Sequence, residues 1–301
     1  MCIAAIDIGT NSVRLLVVKE ESGKLVPVYR ELITTRLGSG LQKSGVLSDS
    51  GKTSTRVALS SYVKTARQQR AEKIVIIATS AMREASDGKK FASMLAATTN
   101  CKVDIISPEK EAYFSYLGVT KTLAGMEQAL IFDLGGGSCE LIWCQHKAIH
   151  SSSYMLGALY LTDIFFQHDP PLQREINAAR NYIRQYMKGA TALARQIVGV
   201  GGTVTTLAAM ALNMSEYDPQ LIHGFSLTRE RVTGQLATIL ALATPERAKL
   251  TGIQKERAFI LPAGALVVDE LLSATELPSL TVSEGDILMG CLYDTISSAS
   301  I

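Results

Sequence analysis

Two turns in this sequence carry residues suited to the same ligand. Asp7-Ile-Gly-Thr-Asn-Ser follows the apolar run Cys2-Ile-Ala-Ala-Ile, and Asp133-Leu-Gly-Gly-Gly-Ser follows Ala129-Leu-Ile-Phe. Glycine lets successive backbone N–H groups come close to a ligand, and N–H and hydroxyl donors suit phosphate oxygens. A carboxylate alone repels phosphate. Beside one, it makes sense when Mg²⁺, held by one or two carboxylates and by the phosphates, lies between. A tight chain connection would account for one such turn. Two copies of Asp-x-Gly-x-x-Ser after apolar runs point to a shared task. The residues marked are Asp7, Thr10, Asn11 and Ser12 in the first turn, and Asp133, Gly135, Gly136, Gly137 and Ser138 in the second. A third Gly turn, Gly201-Gly202-Thr203, also follows an apolar run. None of the three is a G-x-x-x-x-G-K-[ST] loop or a G-x-G-x-x-G turn opening a helix.

Each acidic turn is followed by a further strand-like segment, SVRLLVV after the first and CELIWC after the second, so a supersecondary unit is repeated. CIAAID reads as a buried strand, and SVRLLVVKE with KLVPVYRELITTRL reads as an antiparallel meander. Apolar positions at helical spacing predict helices over 48–70, DGKKFASMLAATT, PEKEAYFSYLGVTKTL, 173–197, 228–243, 255–272 and 284–297. KIVIIATSA, KVDIIS, ALIFD and IVGV read as strands. Strands alternating with helices predict α/β layers.

The chain has 301 residues, which predicts about two domains. Thirty Lys and Arg against 28 Asp and Glu give a formal charge of +2, which excludes a polybasic arm and an acidic tail. With 47% hydrophobic and 19% charged residues the composition is that of a globular protein, not a disordered one. No run approaches the ~20 apolar residues of a membrane span. The apolar start is interrupted by Asp7 and has no basic stretch before it, so no signal peptide is expected. Five scattered cysteines without a C-x-x-C pair read as reduced thiols of a cytoplasmic protein.

Five ordered motifs carry a resemblance. They are Asp7-Ile-Gly-Thr-Asn-Ser-Val-Arg-Leu, Arg36-Leu-Gly-Ser-Gly-Leu, Thr79-Ser-Ala-Met-Arg, Glu111-Ala-x-x-x-Tyr-Leu-Gly-Val and Asp133-Leu-Gly-Gly-Gly-Ser-Cys-Glu-Leu. With Gly201-Gly202-Thr203, His223-Gly224 and the segment from Glu256-Arg257-Ala258 to Gly264, they resemble the exopolyphosphatase/guanosine pentaphosphate phosphohydrolase (Ppx/GppA) family nearly end to end. The chain departs from that pattern at Ser107-Pro-Glu-Lys, at Cys139 where Thr is usual, and at Ser283-Glu-Gly-Asp-Ile, which lacks an Arg. At 301 residues the expected form is the short, two-domain type, without the extra helical domains of longer members.

The resemblance implies two RNase H-like domains of the sugar kinase/Hsp70/actin superfamily around an interdomain cleft, with the acidic turns facing each other across it. The expected division is 1–124 with a C-terminal helix 286–301, and 125–285, with a tight hinge near 120–128. The resemblance also implies a homodimer.

Phosphoanhydride hydrolysis needs an in-line water, charge neutralisation and a base. The motif match makes Glu111 the base, and Glu109 beside it a solvated helix residue. Asp133 and Glu140 are the expected Mg²⁺ partners, and Asp7 holds a second metal-bound water. Arg83 clamps a phosphate oxygen with its fork, unless it is spent on a salt bridge with Glu84 or Asp87. Arg180, Arg184 and Lys188 recur every four residues on the predicted helix 173–197. They form either a track for a long polyanion or a solvated face. His146 and His150 read as surface histidines, Trp143 as packing, and Tyr154, Tyr160, Phe165 and Phe166 as core or subunit interface.

The expected activity is Mg²⁺-dependent release of terminal orthophosphate from inorganic polyphosphate. The same residues would serve guanosine pentaphosphate. The alternatives are a sugar- or acid-kinase-like phosphotransferase and a non-catalytic nucleotide-sensing or scaffold protein. No nucleic-acid or membrane partner is expected.

Overall fold

The computed structural model describes residues 1–187 and 195–298. The chain forms two compact units, Met1–Lys121 with Asp286–Ile301, and Thr122–Gly285.

The first unit opens on β1 (Cys2–Ile8), β2 (Ser12–Glu21) and β3 (Lys24–Thr34). After the short α1 (Leu41–Ser44), α2 (Asp49–Gln68) leads to β4 (Lys73–Ala78). Then come α3 (Ser80–Glu84), α4 (Gly88–Thr99), β5 (Val103–Ile105) and α5 (Pro108–Thr122). The sheet order is β3-β2-β1-β4-β5, with an antiparallel meander on one side of β1 and parallel strands on the other. β1 lies centrally because both its faces are apolar. Ala4, Ile6 and Ile8 join one core with residues of α2 and α4, while Ile3 and Ala5 join another with Phe114 of α5 and the returning helix Ile287–Ser297. α2 starts where the sequence suggests, because the Ser48 hydroxyl accepts from the Gly51 amide.

The second unit repeats the scheme. β6 (Leu130–Leu134), β7 (Cys139–Gln145) and β8 (Ala148–Tyr154) form the meander. His146 and Lys147, both with positive φ, make the two-residue hairpin turn between β7 and β8. α6 (Ala158–Phe165) and α7 (Gln173–Met187) precede β9 (Ile197–Val200), α8 (Gly202–Ala211) and α9 (Pro219–Ile222). β10 (Ser226–Thr228), α10 (Arg229–Ala241), α11 (Thr244–Arg247), α12 (Leu261–Thr275) and β11 (Ser279–Val282) complete it. The order is β10-β11-β9-β6-β7-β8. Removing the edge strand β10 leaves the arrangement of the first sheet, β8-β7-β6-β9-β11. α13 (Ile287–Ser297) then returns to the first unit. The repeat is the α/β pattern of RNase H-like domains that the resemblance implies.

The local expectations fail in three places. The helix expected over 173–197 ends its described part at Met187, while Ile197, which the strand reading IVGV also claimed, opens β9 as that reading has it, its four buried residues pairing in parallel with β6. The helix expected over 255–272 is a 3₁₀ turn, Lys255–Arg257, followed by α12, with Pro262 in its first turn. The helix expected from Glu284 begins at Ile287, because Asp286 caps it. Among the described residues, no helix is long and apolar enough to cross a membrane.

Candidate functional site

In each unit, a β-hairpin carries its acidic turn at the end of the central strand. Asp7 on β1 is opposite Arg14 on β2, and Asp133 on β6 is opposite Glu140 on β7. Both turns close with the same backbone bond, Gly9 N to Ser12 O and Gly135 N to Ser138 O, each 3.0 Å.

In the first unit, Asp7 is 4% exposed. Its Oδ2 accepts from Arg14 Nε at 3.0 Å and Nη2 at 2.7 Å, and Arg14 Nη1 donates to Asp286 Oδ2. Asp7 Oδ1 and both side-chain amide atoms of Asn11 are buried without a hydrogen-bond partner. Buried polar atoms left so are uncommon and call for a ligand, ion or water. Burial pushes the Asp7 carboxyl above its usual range in spite of Arg14. The Thr10 hydroxyl accepts from the Ala81 amide at 3.3 Å, so it holds the start of α3 against the turn. The Thr10 carbonyl accepts from Gly38 N, which turns the Asn11 N–H the opposite way across the planar peptide. Gly38 must be glycine, because a Cβ there would lie 2.4 Å from Thr10 Cγ2.

On α3, Arg83 Nη1 donates to Ile106 O at 3.0 Å and to Glu111 Oε2 at 2.9 Å. The pair is mostly buried. The guanidinium expected to clamp phosphate is thus also the group that orients the expected base. Glu109 is exposed, and its hydrogen bond with Ser107 holds its carboxyl below the usual range.

In the second unit, Glu140 is 2% exposed and its Oε1 accepts from Ser153 Oγ on β8 at 2.7 Å. The carbonyls of Gly135, Gly136 and Gly137 accept from the amides of Ala158, Leu159 and Gly157, at 3.0, 2.9 and 3.1 Å. Each peptide is planar and trans, so the N–H groups of Gly136, Gly137 and Ser138 face away from α6, forming a concave set of donors. A Cβ on Gly157 would come within 2.4 Å of Gly136 O, so glycine is required where α6 meets the turn. Cys139 points into the core. Burial, with Glu140 and Asp133 near, pushes its thiol far up and keeps it neutral.

The third Gly turn has Gly201 at φ 100°. The Arg257 guanidinium lies directly on Gly202, where a Cβ would sit 1.8 Å from Nη1. Arg257 Nε is held by Gln254 Oε1 at 3.1 Å. His223 has a structural task. The Glu284 amide donates to its Nδ1 at 3.1 Å, which leaves the proton on Nε2, 3.2 Å from Thr122 O.

The arginines of the expected polyanion track are engaged elsewhere. Arg184 Nε reaches Glu270 Oε2 at 2.6 Å and Arg180 Nε lies 3.0 Å from Glu270 Oε1, both against buried acids of α12. The third member, Lys188, lies outside the described residues. Of the aromatic residues, Trp143 stacks on His150, and Tyr154, Phe165, Tyr182 and Tyr186 form a half-buried ring cluster.

Sequence reasoning gave no role to Arg14, Asp286, Gly157 or Arg257. One signal was present. The partner of each aspartate stands seven positions on in both repeats, as Arg14 and as Glu140.

Among the described residues, no three His, Cys, Asp or Glu side chains form a metal-binding group. Mg²⁺ needs no such cage, because it takes one or two carboxylates and fills its shell with phosphate oxygens and water. The buried, unpartnered Asp7 Oδ1 fits that demand.

Comparison with known proteins identifies the family. Exopolyphosphatase 2 of Mycobacterium tuberculosis is 33% identical over 96% of this chain and 96% of its own. Guanosine-5'-triphosphate,3'-diphosphate pyrophosphatase of Photobacterium profundum is 28% identical over 98% of this chain and 59% of its own. The crystal structure of the Aquifex aeolicus Ppx/GppA family member superposes with a TM-score of 0.85 at 29% identity, covering 100% of this chain and 99% of that one. Residues 16–299 match the Ppx/GppA phosphatase family as a whole, and the chain belongs to that family.

Proposed function

We propose that this phosphatase is an exopolyphosphatase, releasing terminal orthophosphate from inorganic polyphosphate. The hydrolytic reading is carried by the buried, unpartnered Asp7 Oδ1 near the end of β1 and the Asn11 side-chain amide in the turn that follows it. Polyphosphate is favoured because the exopolyphosphatase relative matches along nearly the whole of both chains. Guanosine pentaphosphate is the second reading, supported by the Photobacterium relative.

In this mechanism Thr10, Asn11, Ser12 and the amides of Gly136, Gly137 and Ser138 bind phosphate oxygens. Asp7, Asp133 and Glu140 would hold Mg²⁺, which when bound supplies positive charge against the phosphates. Glu111 orients a water and takes its proton as the water oxygen attacks the terminal phosphorus. The bridging oxygen leaves with the shortened chain. Arg83 fixes the Glu111 carboxylate, and its remaining N–H groups are suited to a terminal phosphate oxygen.

Purified protein should release phosphate from polyphosphates of graded length in the presence of Mg²⁺. Faster turnover of guanosine pentaphosphate would move the assignment to the second reading. ADP formation that depends on a small acceptor would make the protein a phosphotransferase. No turnover of any phosphoanhydride with Mg²⁺ would return it to a non-catalytic role.

A further inference from the structure

Asp286 is the first residue of the chain's return to the first unit. Its two carboxylate oxygens do different things. Oδ1 accepts from the Leu288 and Met289 amides at 3.0 and 3.5 Å, capping α13. Oδ2 accepts from Arg14 Nη1. The same guanidinium gives Nε and Nη2 to Asp7 Oδ2. The backbone of Asp286 is also fixed, since α5 approaches it so closely at Gly118 that a Cβ there would lie 2.1 Å from Asp286 O.

A capping role alone does not explain this arrangement. An N-cap needs one oxygen, and Asn or Ser serves as well as Asp. The second oxygen receives one edge of a planar fork whose other edge binds Asp7. A guanidinium is rigid, so fixing Nη1 fixes the plane of Nε and Nη2. That plane sets the rotation of the Asp7 carboxylate and turns Oδ1 away from Arg14. Without Asp286, Arg14 could swing onto both oxygens of Asp7.

We infer that Asp286 is a positioning residue, which holds Arg14 so that Asp7 keeps Oδ1 available to the phosphate-bound cation. This rests on the role proposed for Asp7. It also gives a task to the segment Ser283–Ile287, where the expected Arg is missing.

The test uses Asp286→Asn, which keeps the cap and removes the charge. Thermal unfolding should be unchanged. Turnover of polyphosphate should fall ~10-fold or more with little change in KM, the usual scale for losing an outer-shell partner. Mn²⁺ binding in the presence of inorganic phosphate, read by the EPR signal of free Mn²⁺, should weaken in parallel. In an Arg14→Lys background, which cannot span both carboxylates, Asp286→Asn should cost nothing more. Asp286→Ser, also a good cap, must repeat the loss, and it serves if the Asn variant folds poorly.

Wild-type kcat and Mn²⁺ binding in a stable Asp286→Asn protein would reduce Asp286 to a helix cap. Additive losses with Arg14→Lys would likewise overturn the inference. Failure of the wild type to hydrolyse any phosphoanhydride would sink the proposed function instead, while the Mn²⁺ comparison would still decide the positioning role.

Discussion

Arg83 and Glu111 are bound to each other, 2.9 Å from Nη1 to Oε2, although they come from different helices, α3 and α5. A carboxylate that activates water must keep one orientation through the reaction. In the proposed mechanism Arg83 would supply it for Glu111, and Arg83 is in turn anchored on the Ile106 carbonyl.

Glu111→Gln should therefore lower phosphate release from polyphosphate by ~10²-fold or more, since a general base contributes on that scale. KM should change little. Arg83→Lys should also lower kcat, because a single ammonium cannot hold Ile106 O and Glu111 in the geometry of a fork. Phosphate-release kinetics on both variants, with circular dichroism as a control for folding, checks this. Near-full turnover by a folded Glu111→Gln protein would remove Glu111 from the mechanism.

Asp7 makes the opposite demand on stability. Burial holds its carboxyl above the usual range, so the folded protein takes up a proton more readily than the unfolded chain does. The ionised form then costs stability at neutral pH. The cost falls away as the pH drops through the raised value. Asp7→Asn should accordingly unfold at an equal or higher temperature than the wild type at pH 7 in EDTA, with the difference shrinking on acidification, while hydrolysis is lost. A variant that unfolds at a lower temperature at pH 7 would mean that the Arg14 pair outweighs burial.

How much was legible follows from the range of each interaction. β1 and β6 were readable because a short apolar run ending in Asp and Gly has one sensible use. The start of α2 was readable because Ser48 caps it locally. β10 and β11 were not, since these short strands mix Ser and Thr with their apolar residues and lack the apolar run that made the equally short β5 and β9 legible. Ile197 fell in both the expected helix and the expected strand IVGV, as buried apolar residues fit a helix or a strand until a pairing partner is known. The acidic turns and Glu111 were found from local motifs. The link from Asp7 through Arg14 to Asp286 depends on a bond between Arg14 and Asp286, 272 positions apart, and no spacing rule reaches that far.

Two glycines give a contrasting test of the second turn. Gly157→Ala would drive a Cβ to 2.4 Å from Gly136 O, a backbone atom that cannot retreat without moving the amides proposed to bind phosphate. Gly234 lies on α10 with nothing within 4 Å of its ideal Cβ. Gly234→Ala should raise stability by about 0.5–1 kcal/mol through helix propensity, with activity unchanged. Gly157→Ala should lose both stability and turnover. Urea unfolding and phosphate release on the pair would settle it, and a fully active Gly157→Ala protein would contradict the packing of α6 on the turn.

The polyanion track yields the last prediction. Arg184 is joined to the buried carboxylate of Glu270 by two hydrogen bonds, at 2.6 and 3.2 Å, and Arg180 lies against the same acid. A buried acid deprived of its cation is left uncompensated, which destabilises more than the pair itself stabilised. Arg184→Gln should therefore lower the unfolding temperature, and any effect on KM should be the same for short and long polyphosphates. If instead KM rises more for long chains than for short ones while the unfolding temperature holds, the arginine is reaching substrate rather than Glu270. A Glu270→Gln partner variant separates the two. It should share the stability loss if the pair is structural, and it should leave long-chain KM untouched.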